Sequence, residues 1–156
     1  MSDDGSKPDA PADAGALFFQ LFNEIGIINQ LASTAFERAL PHGLTQAQFT
    51  VLNHCVRLGD DKTPAALADA FQVTRGTLTS TLGRLEAKGF IVLTPDPKDG
   101  RSKRVRLTPA GRAAREEAIH AAAPLLARVA SAFDPREAAE LLPALQRIRR
   151  WLDENR

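Results

Sequence analysis

Two helix starts lie close together between Thr63 and Gly89, and that spacing restricts the fold more than any other feature of the chain. Thr63-Pro64 puts a hydroxyl N-cap before a proline at the first helical position. The helix it opens is short, residues 64–71, because Gln72-Val73 turns the chain and Thr74 caps a further helix over 75–88. Gly89 stands where a left-handed residue closes a helix. Two short helices joined by a tight turn predict a helix-turn-helix.

The residues after Gly89 narrow the choice. Phe90-Ile91-Val92-Leu93 is a short apolar run of strand type, and residues 94–100 (TPDPKDG) are turn chemistry. Lys103 to Leu107 then alternates loosely: Val105 and Leu107 share one face, Lys103 and Arg106 are read as outward, and Arg104 departs from the strict pattern. A β-hairpin with its tip near residues 98–102, placed directly after a helix-turn-helix, is a wing.

The flanks are helical. Apolar residues recur at threes and fours from Leu17 to Leu40, a stripe rich in Phe and Ile and wide enough to suggest a subunit interface. Pro41-His42-Gly43 breaks that helix. Thr45 with Gln48 forms a capping box, and Leu44 with Phe49 a hydrophobic staple, for a second helix reaching Leu58. Thr108-Pro109 opens a fifth helix reaching about Phe133, which Pro124 is expected to kink or divide. Asp134-Pro135 opens a sixth, to about Trp151, with Pro143 inside it. The expected class is mainly α with a small β wing. The winged lobe covers 45–108, flanking helical segments cover 15–40 and 109–154, and a disordered tail covers 1–14.

Charge enters at this point. The formal net charge is only +1, but residues 72–115 hold ten Lys and Arg against Glu86, Asp96 and Asp99. A basic middle inside a neutral total points to a polyanionic partner. The single cysteine, Cys55, excludes an internal disulfide and suits a reducing, cytoplasmic setting. No apolar run approaches the ~20 residues of a membrane span, and the acidic start of the chain does not read as a secretory signal.

The fourth helix carries the chemistry. Leu78, Leu82 and Leu85 anchor one face, while Thr74, Arg75, Gly76, Thr77, Ser80, Thr81 and Arg84 supply a small, hydroxyl-rich face with arginine at either end. Ordinary solvent-facing helices favour Glu and Lys, so this filling gives up helix propensity. A helix entering a major groove roughly 12 Å wide needs such a surface. The hairpin adds Lys98, Arg101, Lys103 and Arg104. Arginine on a wing tip reaches a narrow minor groove, and Asp99 lies close enough to orient the Arg101 guanidinium.

With these residues the chain resembles the MarR family of regulators. The resemblance runs from Leu67 to Gly111, through LADAFQVTRGTLTSTLGRLEAKGFI and PDPKDGRSKRVRLTPAG, and the helix order extends it over nearly all of the chain after the tail. It implies a homodimer paired through the first, fifth and sixth helices. It also implies a fourth helix in the major groove, Arg101 in the minor groove, and a pseudo-palindromic operator. Many members are repressors released by a small aromatic or phenolic ligand held between the pairing helices and the DNA lobe. Leu93-Thr94 departs from the pattern, since many members have a basic residue there.

Asn53 and His54 are candidate lining for an effector pocket. Cys55 reads as a buried small hydrophobe, with redox control through it as an alternative. A winged helix that binds an acidic protein partner is another, although the polar fourth-helix face suits a protein interface poorly. No Cys/His/Asp group has metal-ligand spacing, and no cofactor is expected. A Gly-rich phosphate loop, a nucleophile triad and paired carboxylates are all missing, so an enzyme is not expected.

Overall fold

The computed structural model describes residues 13–155 of the 156-residue chain. The tail expected over 1–14 lies outside the described residues up to position 12. Beyond that, Ala14 already opens a helix, with Asp13 Oδ1 accepting from the Ala16 backbone N–H at 2.9 Å. The chain divides between Ala35 and Phe36 into two compact units.

The order is α1 (Ala14–Ala39), a 3₁₀ turn (Pro41–Gly43), α2 (Gln46–Leu58), α3 (Pro64–Phe71), α4 (Arg75–Ala87), β1 (Ile91–Pro95), β2 (Lys103–Leu107), α5 (Pro109–Ala132) and α6 (Pro135–Glu154). Most helix starts follow from local chemistry. The capping box at Thr45 and Gln48 forms on both sides, and Thr63, Thr74 and Thr108 each accept from the N–H three residues on. Gly89, at φ 71°, closes α4 in the left-handed region.

β1 and β2 pair antiparallel from Ile91 with Leu107 to Pro95 with Lys103. Lys62, just before α3, adds a bridge to Val105. This small sheet lies over a core of Leu52, Leu67, Leu78, Leu82, Leu85, Ile91 and Val105, all with almost no exposed surface. Phe36 and Phe49 meet edge to face at its border, 4.8 Å between centroids.

One expectation about proline needs correction: Pro124 does not divide α5, which runs unbroken from Pro109 to Ala132, and α6 likewise runs through Pro143. Proline removes one backbone donor. In α5 the turns around it are rich in alanine, and Ala114 and Ala118 are buried in the core of the lobe, so the remaining bonds and packing carry the helix across. Large apolar side chains stay uncovered in both units. In the first unit they are Leu17, Phe18, Phe19, Phe22, Ile27, Ile28 and Leu31. In the second they include Leu126, Val129, Phe133, Leu141, Leu142 and Trp151.

Candidate nucleic-acid interface

α4 is fixed by its leucines. Leu78, Leu82 and Leu85 are buried, and the helix is presented by the turn at Gln72, a non-glycine residue in the left-handed region at φ 56°. Val73 N–H returns to the Ala68 carbonyl at 3.1 Å, and Gln72 Nε2 donates to the Asp69 carbonyl at 3.1 Å. Six of the expected contact residues on or capping α4, namely Thr74, Arg75, Gly76, Thr77, Ser80 and Arg84, are exposed, and Thr81 is half-buried.

The hydroxyls on this face are partly spoken for. Thr74 Oγ1 accepts from the Thr77 N–H at 3.1 Å and lies 2.8 Å from Thr77 Oγ1. Thr79 and Thr81 donate back to the carbonyls of Arg75 and Thr77. A hydroxyl that donates inward still offers lone pairs outward. In these rotamers Thr79 and Thr81 therefore present acceptors. The Ser80 hydroxyl makes no hydrogen bond among the described residues. Gly83 leaves open space where a Cβ would stand and a Cβ at Gly76 would meet Thr74 Oγ1 at an ordinary contact of 3.9 Å, whereas a Cβ at Gly111 would run into the Phe90 carbonyl.

The wing mouth is held by Asp96, an acid with no role in the site as read from the sequence, together with Arg104, which read as a further wing cation. Asp96 is buried although it is an acid. Its Oδ1 accepts from the Lys98 N–H at 2.8 Å and its Oδ2 from Arg104 Nε at 2.8 Å. The backbone N–H of Lys98 first, and the Arg104 side chain second, hold this carboxyl below its usual value. Arg104 Nη1 also donates to the Asp61 carbonyl at 2.8 Å. Arg106 Nη2 lies 3.0 Å from Asp61 Oδ1, and Asp60 Oδ2 accepts from the Leu107 N–H at 2.8 Å. The available signal was Asp96 opening an Asp-Pro turn, a setting in which Asp bonds its own backbone. Nothing local linked it to Asp61.

Two expected roles change accordingly. Arg104 turns its guanidinium into the lobe, against Asp96 and Asp61, and does not offer it freely to solvent. Asp99 does not orient the Arg101 guanidinium. Its Oδ1 accepts from the Arg101 backbone N–H at 3.0 Å, which shapes the turn and leaves the side chain exposed. Lys98, Arg101 and Lys103 are exposed, and none forms an ion pair among the described residues.

Asn53 and His54 are separated. Asn53 Oδ1 accepts from Arg115 Nε and Nη2 at 3.2 and 2.9 Å, tying α2 to α5. His54 packs edge-on against Phe71 and lines an open cavity of about 540 Å³ with Leu58, Gln72, Arg149 and Leu152. Burial first, then Lys62 and Arg57, lower the His54 pKa. Cys55 is buried, and burial followed by Asp60 pushes its thiol up to about 11, which favours the protonated form. Among the described residues no group of acids, histidines and cysteine is placed to hold a metal, and no helix is long and apolar enough to cross a membrane.

A buried-anchor helix presented by a tight turn, beside a two-stranded hairpin with a cationic tip, is a winged helix-turn-helix. Residues 42–102 match the sequence profile of the MarR family. The chain is 37% identical over 105 residues to the multiple antibiotic resistance protein MarR of Salmonella typhimurium, covering 62% of this chain and 72% of that protein. It is 33% identical over 101 residues to the transcriptional activatory protein BadR of Rhodopseudomonas palustris, covering 64% of this chain but only 56% of that protein. A cysteine-to-serine mutant of E. coli MarR, crystallised with operator DNA, superposes with a TM-score of 0.71 at 30% identity, covering 84% of this chain and 94% of that one. The chain belongs to the MarR family, whose similar members here are transcriptional regulators and not enzymes.

Proposed function

We propose that this chain is a sequence-specific, dimeric DNA-binding transcription regulator. α4 enters the major groove with Arg75, Gly76, Thr77, Ser80 and Arg84, and the hairpin carries Lys98, Arg101 and Lys103 to the adjacent minor groove. The observation that carries this reading is the pairing of an exposed, hydroxyl-rich α4 face with hairpin cations that form no ion pair among the described residues. The likeness to MarR held on operator DNA supports it. Small residues admit close approach, arginine takes guanine edges, and lysine neutralises phosphate.

The uncovered apolar residues of α1, α5 and α6 are the reason to read the protein as a homodimer. Two α4 helices about one DNA turn (~34 Å) apart would then read a pseudo-palindrome. Repression relieved by a small aromatic or phenolic ligand, in the cytoplasm, follows from the family resemblance. The cavity beside His54 is the candidate place for that ligand.

The test is selection of bound sequences from a random duplex library at about 150 mM salt, where non-specific binding is weak. Recovery of an inverted repeat with half-sites one turn apart supports the reading. Recovery of unpatterned DNA rejects sequence-specific recognition. A reporter driven by the recovered site then gives the sign of regulation.

A further inference from the structure

Asp61 and Arg104 lie in different elements, yet several bonds join the segments that hold them. Asp61 N–H donates to the Val105 carbonyl at 2.8 Å, and Val105 N–H donates to the Lys62 carbonyl at 2.9 Å. The α2–α3 connection therefore acts as a short third strand against β2. Arg104 crosses this seam. It reaches the Asp61 carbonyl on one side and the Asp96 carboxylate on the other, both at 2.8 Å. Asp61 itself holds φ 73°, a left-handed conformation that a non-glycine residue keeps only when its surroundings support it.

The hairpin tip has no such support. Residues 97–101 are exposed, and the turn is organised by its own bonds, Asp96 Oδ1 to Lys98 N and Asp99 Oδ1 to Arg101 N. A two-stranded ribbon alone is marginally stable and free to twist. Among the described residues, the wing is tied back to the α2–α3 connection by the Asp61 and Lys62 backbone bonds to Val105, the Asp60 carboxylate on the Leu107 N–H, the Arg106–Asp61 ion pair at 3.0 Å and the Arg104 link. Arg104 is the one side chain among them that joins the connection to the base of the tip turn.

We propose that Arg104 is a positioning residue that sets the angle of the wing, with Asp96 and the Asp61 carbonyl as its two anchors, and that Arg101 reaches DNA only when this link is made. The proposal rests on the DNA-binding reading above. Arg104 acts through Arg101 and makes no phosphate contact of its own. A lysine cannot replace it, because one ammonium does not span two acceptors in fixed directions as a guanidinium fork does.

The test is a double-mutant cycle on operator DNA, with the full chain, its selected operator, and affinity measured across a salt series. Arg101→Ala, Arg104→Ala, the pair together, and Arg104→Lys are compared, with a thermal melt of each. Asp96→Asn is the milder variant, keeping an acceptor while removing the charge, in case Arg104→Ala unfolds.

Each single change is expected to weaken binding about tenfold, and the double change no more than Arg101→Ala alone. The salt slope is expected to fall by about one unit in Arg104→Ala as in Arg101→Ala. Arg104→Lys is expected to behave as the alanine does. Additive losses, or full activity in Arg104→Lys, overturn the proposal, since both mark Arg104 as an independent cationic contact. Unchanged affinity in a folded Arg104→Ala or Asp96→Asn overturns it as well. Failure of the wild-type chain to prefer any duplex would instead remove the DNA-binding reading, and this proposal with it.

Discussion

Arg104 and Asp96 close the mouth of the wing, with Arg104 Nε donating to Asp96 Oδ2 at 2.8 Å across a turn of seven intervening residues, 97–103. Asp96 is held ionised below its usual range by the Lys98 N–H and by Arg104. A carboxylate with a depressed folded pKa adds stability that is fully present above the unfolded value, near ~3.9, and is lost as pH falls through the folded one. Asp96→Asn is therefore expected to lower the urea midpoint at neutral pH, with the gap to wild type shrinking below about pH 4. Urea titrations of both proteins across that range check it. A gap that stays constant into acid would mean the charge of Asp96 contributes nothing.

Arg101→Ala is expected to weaken operator binding and to reduce the salt slope by about one unit, as for one lost phosphate-region contact. Its guanidinium is exposed and its carboxylate neighbour is bound to backbone, so stability should hardly change. Fluorescence anisotropy at several salt concentrations reads both quantities. Equal affinity at every salt concentration would exclude Arg101 from the interface.

Thr74 caps α4 through the Thr77 N–H at 3.1 Å. Thr74→Ala is expected to cost about 1 kcal/mol of stability, and Thr74→Ser to recover most of it. Thermal or chemical denaturation measures this directly.

The glycines separate by what surrounds them. Gly111 packs against the Phe90 carbonyl with no room for a Cβ, so Gly111→Ala should shift the β1 start and destabilise the chain by more than 1 kcal/mol or so. Gly83 has open space, so Gly83→Ala should stabilise the free protein by about 0.5–1 kcal/mol. Denaturation midpoints moving in the same direction for both variants would contradict this contrast.

Cys55 lies in the core with its thiol pushed up to about 11. It should react slowly with a thiol reagent in the native chain and quickly in denaturant. Operator binding by wild type and Cys55→Ser should respond alike to mild peroxide. A peroxide response present only in wild type would restore the redox reading.

What the sequence settled by itself was the local part. Thr45, Thr63, Thr74 and Thr108 mark helix starts because a cap acts on a backbone N–H only three residues away. Leu78, Leu82 and Leu85 face inward because the helical period puts them on one side. The exposed α4 face comes from the same period, and with it most of the candidate site. The tertiary structure decided what distant residues do to one another. Arg104 reads as a further wing cation until the α2–α3 connection brings the Asp61 carbonyl to it, 43 positions away. Asp60 has no evident role along the chain until its carboxylate takes the Leu107 N–H, 47 positions away. Pro124 reads as a break until its helix is seated on the lobe through Ala114 and Ala118. Local hydrogen bonds and periodicity depend on spacing along the chain, so a sequence displays them. Ion pairs across a seam, and the packing that carries a helix through a proline, depend on which segments the fold brings together.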